Sequence, residues 1–451
     1  MRLASLTNSR FRRLALVVAA VATLHGLAYV PLVSPHVGTD SATYVAAAEA
    51  LLDGSYSTPL RAGFYYVFPV GFFDITGVKV DDRSLFDVLE RQAFRPPGYP
   101  LFLAALGGGD AGFSQSLVLF VQALVLGAAT FLLALTVRRW WGEPVALAAA
   151  ALYALDPYSK HYVTLVLSEG LAPLLAVGCA YAFTRAWQER APAWWAATGA
   201  LAAALTLVRA VFVVAVPLVL LAAVLRKGSR GRAAGAALAA AAILLGPWLV
   251  WTASVTGRPV LANYGEGFNL LVAAHGEGQG RPFEEVTADP AFLRDFERPH
   301  ALFPAASELR ADPEAHPRYM RRADALLRSS ARAEYRERLS DEPLQVAWET
   351  ISRVGFLWGA RHDWYQPERD VLELGLAAVD WLLLVLAAAG LVLCLRRNGA
   401  ARGVALFLLA YTVVLGTHHV EARFAMPVRG FMLSLVALAL LEAWPRVRRA
   451  A

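Results

Sequence analysis

The sequence predicts an all-α polytopic membrane protein with about ten transmembrane helices. Three observations carry this reading. Hydrophobic residues make up 57% of the 451-residue chain, against roughly 45–50% apolar in an ordinary soluble domain. The excess falls in Ala-, Leu- and Val-rich blocks of about 20 residues, long enough to cross a hydrocarbon core as a helix. Arg clusters mark one end of successive blocks, as expected where positive charge stays on the cytoplasmic side.

The first block runs over roughly 14–33, after Arg10, Arg12 and Arg13. It reads as an uncleaved span rather than a signal peptide, because it continues to about Leu32 without a clear Ala-x-Ala site. A polar segment from Ser34 to about Gly112 follows, then a second span near 114–137, stopped by Arg138-Arg139-Trp140-Trp141. Apolar residues at 144–155 break at Asp156-Pro157 and resume to Phe183. A further hairpin over 193–225 is interrupted by Arg209 near its middle and ends at Arg226–Arg232. The seventh span lies near 233–253, and three more lie near 371–395, 403–417 and 426–444.

With every span counted, six basic clusters fall on one side, which the positive-inside rule assigns to the cytoplasm. Both termini are then cytoplasmic, in a multi-pass protein of the cell inner (plasma) membrane. The expected organisation is a transmembrane core over 1–255 with a first outward loop at 34–112, an extracytoplasmic loop domain over 256–370, and C-terminal membrane helices over 371–451. Within the loop domain, residues 318–360 read as helical. A charged stretch Ala331–Arg338 and an amphipathic stretch Leu344–Phe356 join at Pro343.

The net charge is +6. The basic residues flank membrane blocks instead of forming a face interleaved with aromatics, which argues against nucleic acid as a partner. Cys179 and Cys394 both lie in apolar blocks and read as packing residues. The glycine-rich Gly107–Gly109 and Gly276–Gly280 lack a strand–helix context, so no nucleotide-binding motif is expected.

Candidate chemistry gathers at the outward ends of the blocks. Thr39 or Asp40 is placed to cap a helix running to Leu52, and Asp40 at a membrane surface also suits a general base; spacing leaves both readings open. In Phe94-Arg95-Pro96-Pro97-Gly98-Tyr99-Pro100 the double proline forbids a regular helix and fixes Arg95 near the membrane face. There it serves either as a phosphate ligand or as an interfacial cation. Asp156, Lys160, His161, Ser168 and Glu169 form a third group. Glu169 lies in an apolar stretch, where an ionisable residue is a functional candidate; the alternative is a structural pairing with Arg209 or Lys160. The turn His418-His419-Val420-Glu421-Ala422-Arg423 offers adjacent histidines, which point about 100° apart on a helix and so rarely share one ion. No metal site is expected from it, and Arg423 facing a phosphate is the preferred reading.

Taken in order, these stretches resemble the GT-C superfamily of integral-membrane glycosyltransferases, in its protein O-mannosyltransferase and aminoarabinose-transferase-like branches. The likeness rests on Asp40-Ser41-x-x-Tyr44, Arg95-Pro96-Pro97-Gly98-Tyr99-Pro100, Ser168-Glu169 and Leu207-x-Arg209. Pro247-Trp248, Gly265-x-Gly267-x-Asn269-Leu270 and Glu421-x-Arg423-Phe424-x-x-Pro427 complete it. Ser41 departs from the second acidic residue many relatives carry. The resemblance implies a GT-C-like fold with extracytoplasmic juxtamembrane helices and a polyprenyl-phosphate sugar as donor substrate, with no separate cofactor and the metal requirement open. It implies transfer with inversion to a lipid, glycan or protein acceptor outside the cytoplasm, within membrane lipids. Asp40 matches the family's base and Arg95 its phosphate-contacting residue. Tyr44, Tyr99, Lys160, Glu169, Arg209 and Arg423 are the further substrate-binding candidates. The competing reading is a transporter or flippase for a lipid-linked saccharide, which usually shows polar residues along several spans or paired broken helices.

Overall fold

The described apolar segments are mostly helical in the computed structural model, which describes residues 2–30, 39–52, 95–107, 114–226, 230–261, 266–276, 283–298, 312, 315–358, 370–397 and 399–450. No strand occurs among the described residues. Helix α1 is Arg2–Tyr29 and α2 Thr39–Leu52, with α3 at Gly98–Ala105. Then come α4 Gln115–Trp141, α5 Glu143–Leu155, α6 Pro157–Val163, α7 Ala172–Glu189, α8 Pro192–Val208 and α9 Ala215–Leu225. Helix α10 is Arg230–Thr256. Next come α11 Glu266–Ala274, α12 Phe283–Thr287, α13 Pro290–Glu297, α14 Ala315–Asp341 and α15 Pro343–Leu357. The chain closes with α16 Asp370–Leu395, α17 Ala400–Gly416 and α18 Arg429–Ala450.

Five described segments are individually long and apolar enough to cross a membrane: Ser9–Tyr29, Gln115–Trp141, Gly231–Ser254, Ala378–Leu395 and Arg423–Ala443. Glu143–Leu155, Pro192–Val208, Ala210–Leu225 and Ala400–Gly416 are apolar but shorter. Their ends follow local rules. The Ser114 side chain accepts from Leu117 N and starts α4, and Gly142 at φ 88° ends it. Asp156 ends α5 in an extended conformation and then caps α6, accepting from Ser159 N at 2.9 Å with Pro157 in the first turn. The apolar hairpin is interrupted at Arg209, where the sequence placed the break. That residue is extended (φ −149°) after α8, followed by a 3-10 turn over Ala210–Val214, and α9 packs back against α8.

The helices pack in contact pairs α1–α4, α7–α8, α8–α10, α5–α18 and α16–α18. Small residues permit the closest of these. A Cβ built on Gly199 would lie 2.2 Å from the Ala237 carbonyl oxygen, and one on Gly390 would lie 2.0 Å from that of Leu435. Outward-facing apolar side chains, among them Leu24, Ile243, Val250, Val385 and Val413, remain exposed, as a lipid-facing surface requires.

The basic helix ends meet at one end of this bundle. The Arg138 guanidinium sits 4.4 Å from the Phe11 ring, Arg139 lies 3.8 Å from Glu189, and Arg226 donates to Trp187 O at 2.8 Å. The helices between residues 266 and 357 join the bundle through Arg353, which is buried. It donates to Gly416 O at 2.9 Å, Ala273 O at 3.3 Å and Tyr335 Oη at 3.2 Å, so one side chain ties α15 to α17, α11 and α14.

Candidate active site

Pro96 and Pro97 deliver the chain into α3, with Leu101 N donating to Pro97 O at 2.8 Å. The next residue docks the motif. A Cβ on Gly98 would stand 2.7 Å from the carbonyl carbon and oxygen of Leu207 and 2.8 Å from Val208 N, so only glycine lets α3 lie on the backbone that ends at Arg209. The Arg95 guanidinium lies 5.0 Å from the centroid of the Tyr44 ring, which meets Tyr99 edge to face at 4.9 Å. Tyr99 Oη donates to Gln122 Oε1 at 2.7 Å, and Gln122 Nε2 donates to Val163 O and Leu165 O at 2.9 and 2.8 Å. Thus α2, α3, α4 and the segment after α6 are held around two tyrosines.

An ionic cluster adjoins them. Glu169 lies in a 3-10 turn over Ser168–Gly170 and is buried. Its Oε1 is 2.5 Å from Arg209 Nη1 and 3.8 Å from Arg423 Nε. Ser168 Oγ donates to Glu169 Oε2 at 3.1 Å, and Tyr44 Oη donates to Ser168 Oγ at 3.3 Å. Phe424 lies under both cations, 5.1 Å from Arg209 and 5.8 Å from Arg423. Arg423 also pairs with Glu421 at 2.6 Å. Partial desolvation pushes the Glu421 pKa up, but Arg423 and His419 outweigh it and hold the carboxyl well below the usual range.

Of the residues singled out by sequence, the structure joins Tyr44, Arg95, Tyr99, Glu169, Arg209 and Arg423. Lys160 goes elsewhere. Its Nζ donates to Tyr153 O at 2.9 Å in a second buried network, where Arg429 meets Asp156 at 3.2 Å and Asp380 at 3.4 Å. His418 turns back to Val414 O (2.8 Å), while His419 N donates to Asn269 O at 2.8 Å and its ring faces Glu421 at 3.8 Å. Asp40 lies in the first turn of α2, one turn before Tyr44; its side chain falls outside the described residues. Sequence reasoning passed over Gln122, Arg429 and Asp380. The usable signal was a polar or ionisable side chain within a predicted span.

The three polar breaks, at Ser168–Gly170, Arg209 and Ala422–Val428, explain how charge is accommodated here. Each interrupts regular α-helix beside an apolar helix, with 3-10 or extended backbone at Glu169, Arg209 and Arg423, the residues that pair.

Residues 95–251 match the family described as dolichyl-phosphate-mannose-protein mannosyltransferase. That segment includes the Arg-Pro-Pro-Gly-Tyr-Pro motif, Glu169 and Arg209. Among solved structures, the chain is similar to the oligosaccharyltransferase AglB of Archaeoglobus fulgidus in complex with an inhibitory peptide and a dolichol-phosphate. The identity is 14% and the TM-score 0.51, covering 97% of this chain and 51% of that one. The same enzyme tethered to an acceptor peptide matches at 14% identity and a TM-score of 0.50, covering 97% and 50%. The chain thus spans about half the length of these structures. No curated protein matches it. The chain thus shares a helical fold with these oligosaccharyltransferase structures and carries, over residues 95–251, a segment that matches the mannosyltransferase family.

Proposed function

We propose that this protein transfers a sugar from a polyprenyl-phosphate-linked donor to an acceptor hydroxyl on the extracytoplasmic face of the cell inner membrane. The observation that carries the reading is the convergence of Arg209 and Arg423 on buried Glu169, which reaches Tyr44 through Ser168, with Arg95 over the Tyr44 ring and Asp40 one helical turn before Tyr44. Such a site suits a donor that is anionic at its phosphate and anchored in lipid. The cluster lies on the chain reversals that alternate with the basic helix ends, which supports an outward-facing site in a ten-span arrangement with both termini inside. Helix α15 fits a juxtamembrane element, because Leu344, Trp348 and Ile351 recur at helical spacing and are exposed.

In the proposed reaction Asp40 takes the proton of the acceptor hydroxyl as its oxygen bonds to the anomeric carbon. The bond from that carbon to the phosphate oxygen breaks with inversion, and the polyprenyl phosphate departs with its charge met by Arg95. Glu169 holds Arg209 and Arg423 and, through Ser168, the Tyr44 hydroxyl, so its part is to position the cations. The donor brings its own leaving group, and the reaction as proposed draws on no further cofactor. The test compares wild type with Asp40→Asn in membranes supplied with radiolabelled polyprenyl-phosphate sugars. The expected result is transfer reduced by roughly 10²–10⁴-fold with donor binding retained. Equal transfer by both proteins removes Asp40 as base. Translocation of the labelled lipid without transfer by wild type favours the flippase reading, to which the broken segments also lend themselves.

A further inference from the structure

Away from the ionic cluster, helices α11, α13 and α14 bring together three side chains that sequence reading did not connect. His275 follows the last turn of α11, Asp295 lies on α13 and Glu334 on α14. One ligand atom from each falls within 4.8 Å of the others. The residues are far apart in sequence, so no local turn or cap accounts for their meeting. His275 is buried, its Nε2 lies 3.4 Å from Asp295 Oδ2, and its ring stands edge to face against Phe292 at 5.6 Å. Phe292 in turn stacks on Phe296 at 5.6 Å, and both contact Phe268. An apolar wall therefore fixes the imidazole on one side while two carboxylates approach it on the other.

We propose that His275, Asp295 and Glu334 form a divalent transition-metal site, with zinc the best match. Zinc bound to nitrogen and oxygen at about 2.0–2.2 Å in a tetrahedron sets neighbouring ligand atoms about 3.4 Å apart. That is the separation of His275 Nε2 and Asp295 Oδ2. Two carboxylates beside an imidazole supply the oxygen and nitrogen donors and the anionic character that suit a divalent ion. The nearby cation of α14, Arg338, is engaged by Glu349 Oε1 at 2.6 Å and Ala274 O at 2.7 Å. The imidazole selects zinc, copper, iron or nickel over magnesium and calcium, which prefer oxygen-only shells. Three protein ligands leave a fourth position for water. The site clamps α11, α13 and α14 to one another. Since α11 also receives the His419 amide through Asn269 O, the clamp steadies the wall beside Arg423. This proposal does not depend on the transferase reading.

The test uses the full-length protein in detergent, stripped with EDTA and then equilibrated with zinc chloride. Wild type should hold one zinc per chain, and its unfolding midpoint should rise by about 2–4 °C when zinc is 100-fold above the dissociation constant. Asp295→Asn and Glu334→Gln, checked for folding by circular dichroism, should each weaken zinc binding by about ten-fold or more. X-ray absorption of the wild-type zinc complex supplies a measurement that needs no variant, and it should show one imidazole with oxygen neighbours. A two-imidazole shell, unchanged affinity in both variants, or a folded wild type that takes up no zinc would overturn the assignment. The last result would leave the cluster as a His275–Asp295 ion pair.

Discussion

Gly98→Ala is the substitution that most directly probes how the candidate site is held. The added methyl would sit 2.7 Å from the Leu207 carbonyl carbon and oxygen, where carbon atoms ordinarily approach to about 3.5–4.0 Å. The shortfall is close to 1 Å, and it falls on the backbone of α8, which cannot rotate aside as a side chain would. Helix α3 must therefore move by about that amount, taking Arg95 and Tyr99 with it. The hydrogen bond from Tyr99 to Gln122, now 2.7 Å, would stretch beyond useful length. Overpacking of this kind costs about 1–3 kcal/mol, and a displacement near 1 Å in a catalytic constellation costs roughly 10²-fold in rate. Gly246→Ala serves as control, because a Cβ there meets nothing within 4 Å. The assays are thermal unfolding in detergent and transfer from a polyprenyl-phosphate sugar. Gly98→Ala should lower both, and Gly246→Ala neither. Turnover and midpoint for Gly98→Ala within error of wild type would refute the docking argument.

Two further predictions concern stability. Glu169→Gln should destabilise by about 3–5 kcal/mol, because it leaves Arg209 buried without its carboxylate. Combining it with Arg209→Gln should cost clearly less than the two single losses added, and strictly additive unfolding energies would show that the pair is not coupled. Tyr99→Phe removes the donor to buried Gln122 Oε1 and should cost about 1–3 kcal/mol; an unchanged unfolding midpoint would mean that Gln122 finds another partner.

Much of the architecture was legible in the sequence because partition between water and lipid is a one-dimensional property. A run of apolar residues of sufficient length declares a helix wherever it later packs, and Arg at its end declares which side it stays on. The helix from Thr39 to Leu52, the break at Asp156-Pro157 and the junction at Pro343 were each readable in this way, from capping residues and proline. The interruption at Arg209 was readable too, as a charged residue in the middle of an apolar hairpin, whereas the 3-10 turn that follows it and the packing of α9 against α8 were not.

Which charges pair is a different kind of question. The sequence by itself determined that this is a helical membrane protein with ionisable residues gathered at one set of helix ends, and it singled out the Arg-Pro-Pro-Gly-Tyr-Pro motif. Only the tertiary structure decided that Glu169 serves Arg209 and Arg423 and that Lys160 leaves them for the Asp156 network. Only it, too, brought His275 to meet Asp295 and Glu334. The reason is physical: burial of an ion requires a partner within a few ångströms, and for residues on different helices that distance is set by how helices cross and how closely glycine lets them approach, which no local pattern encodes.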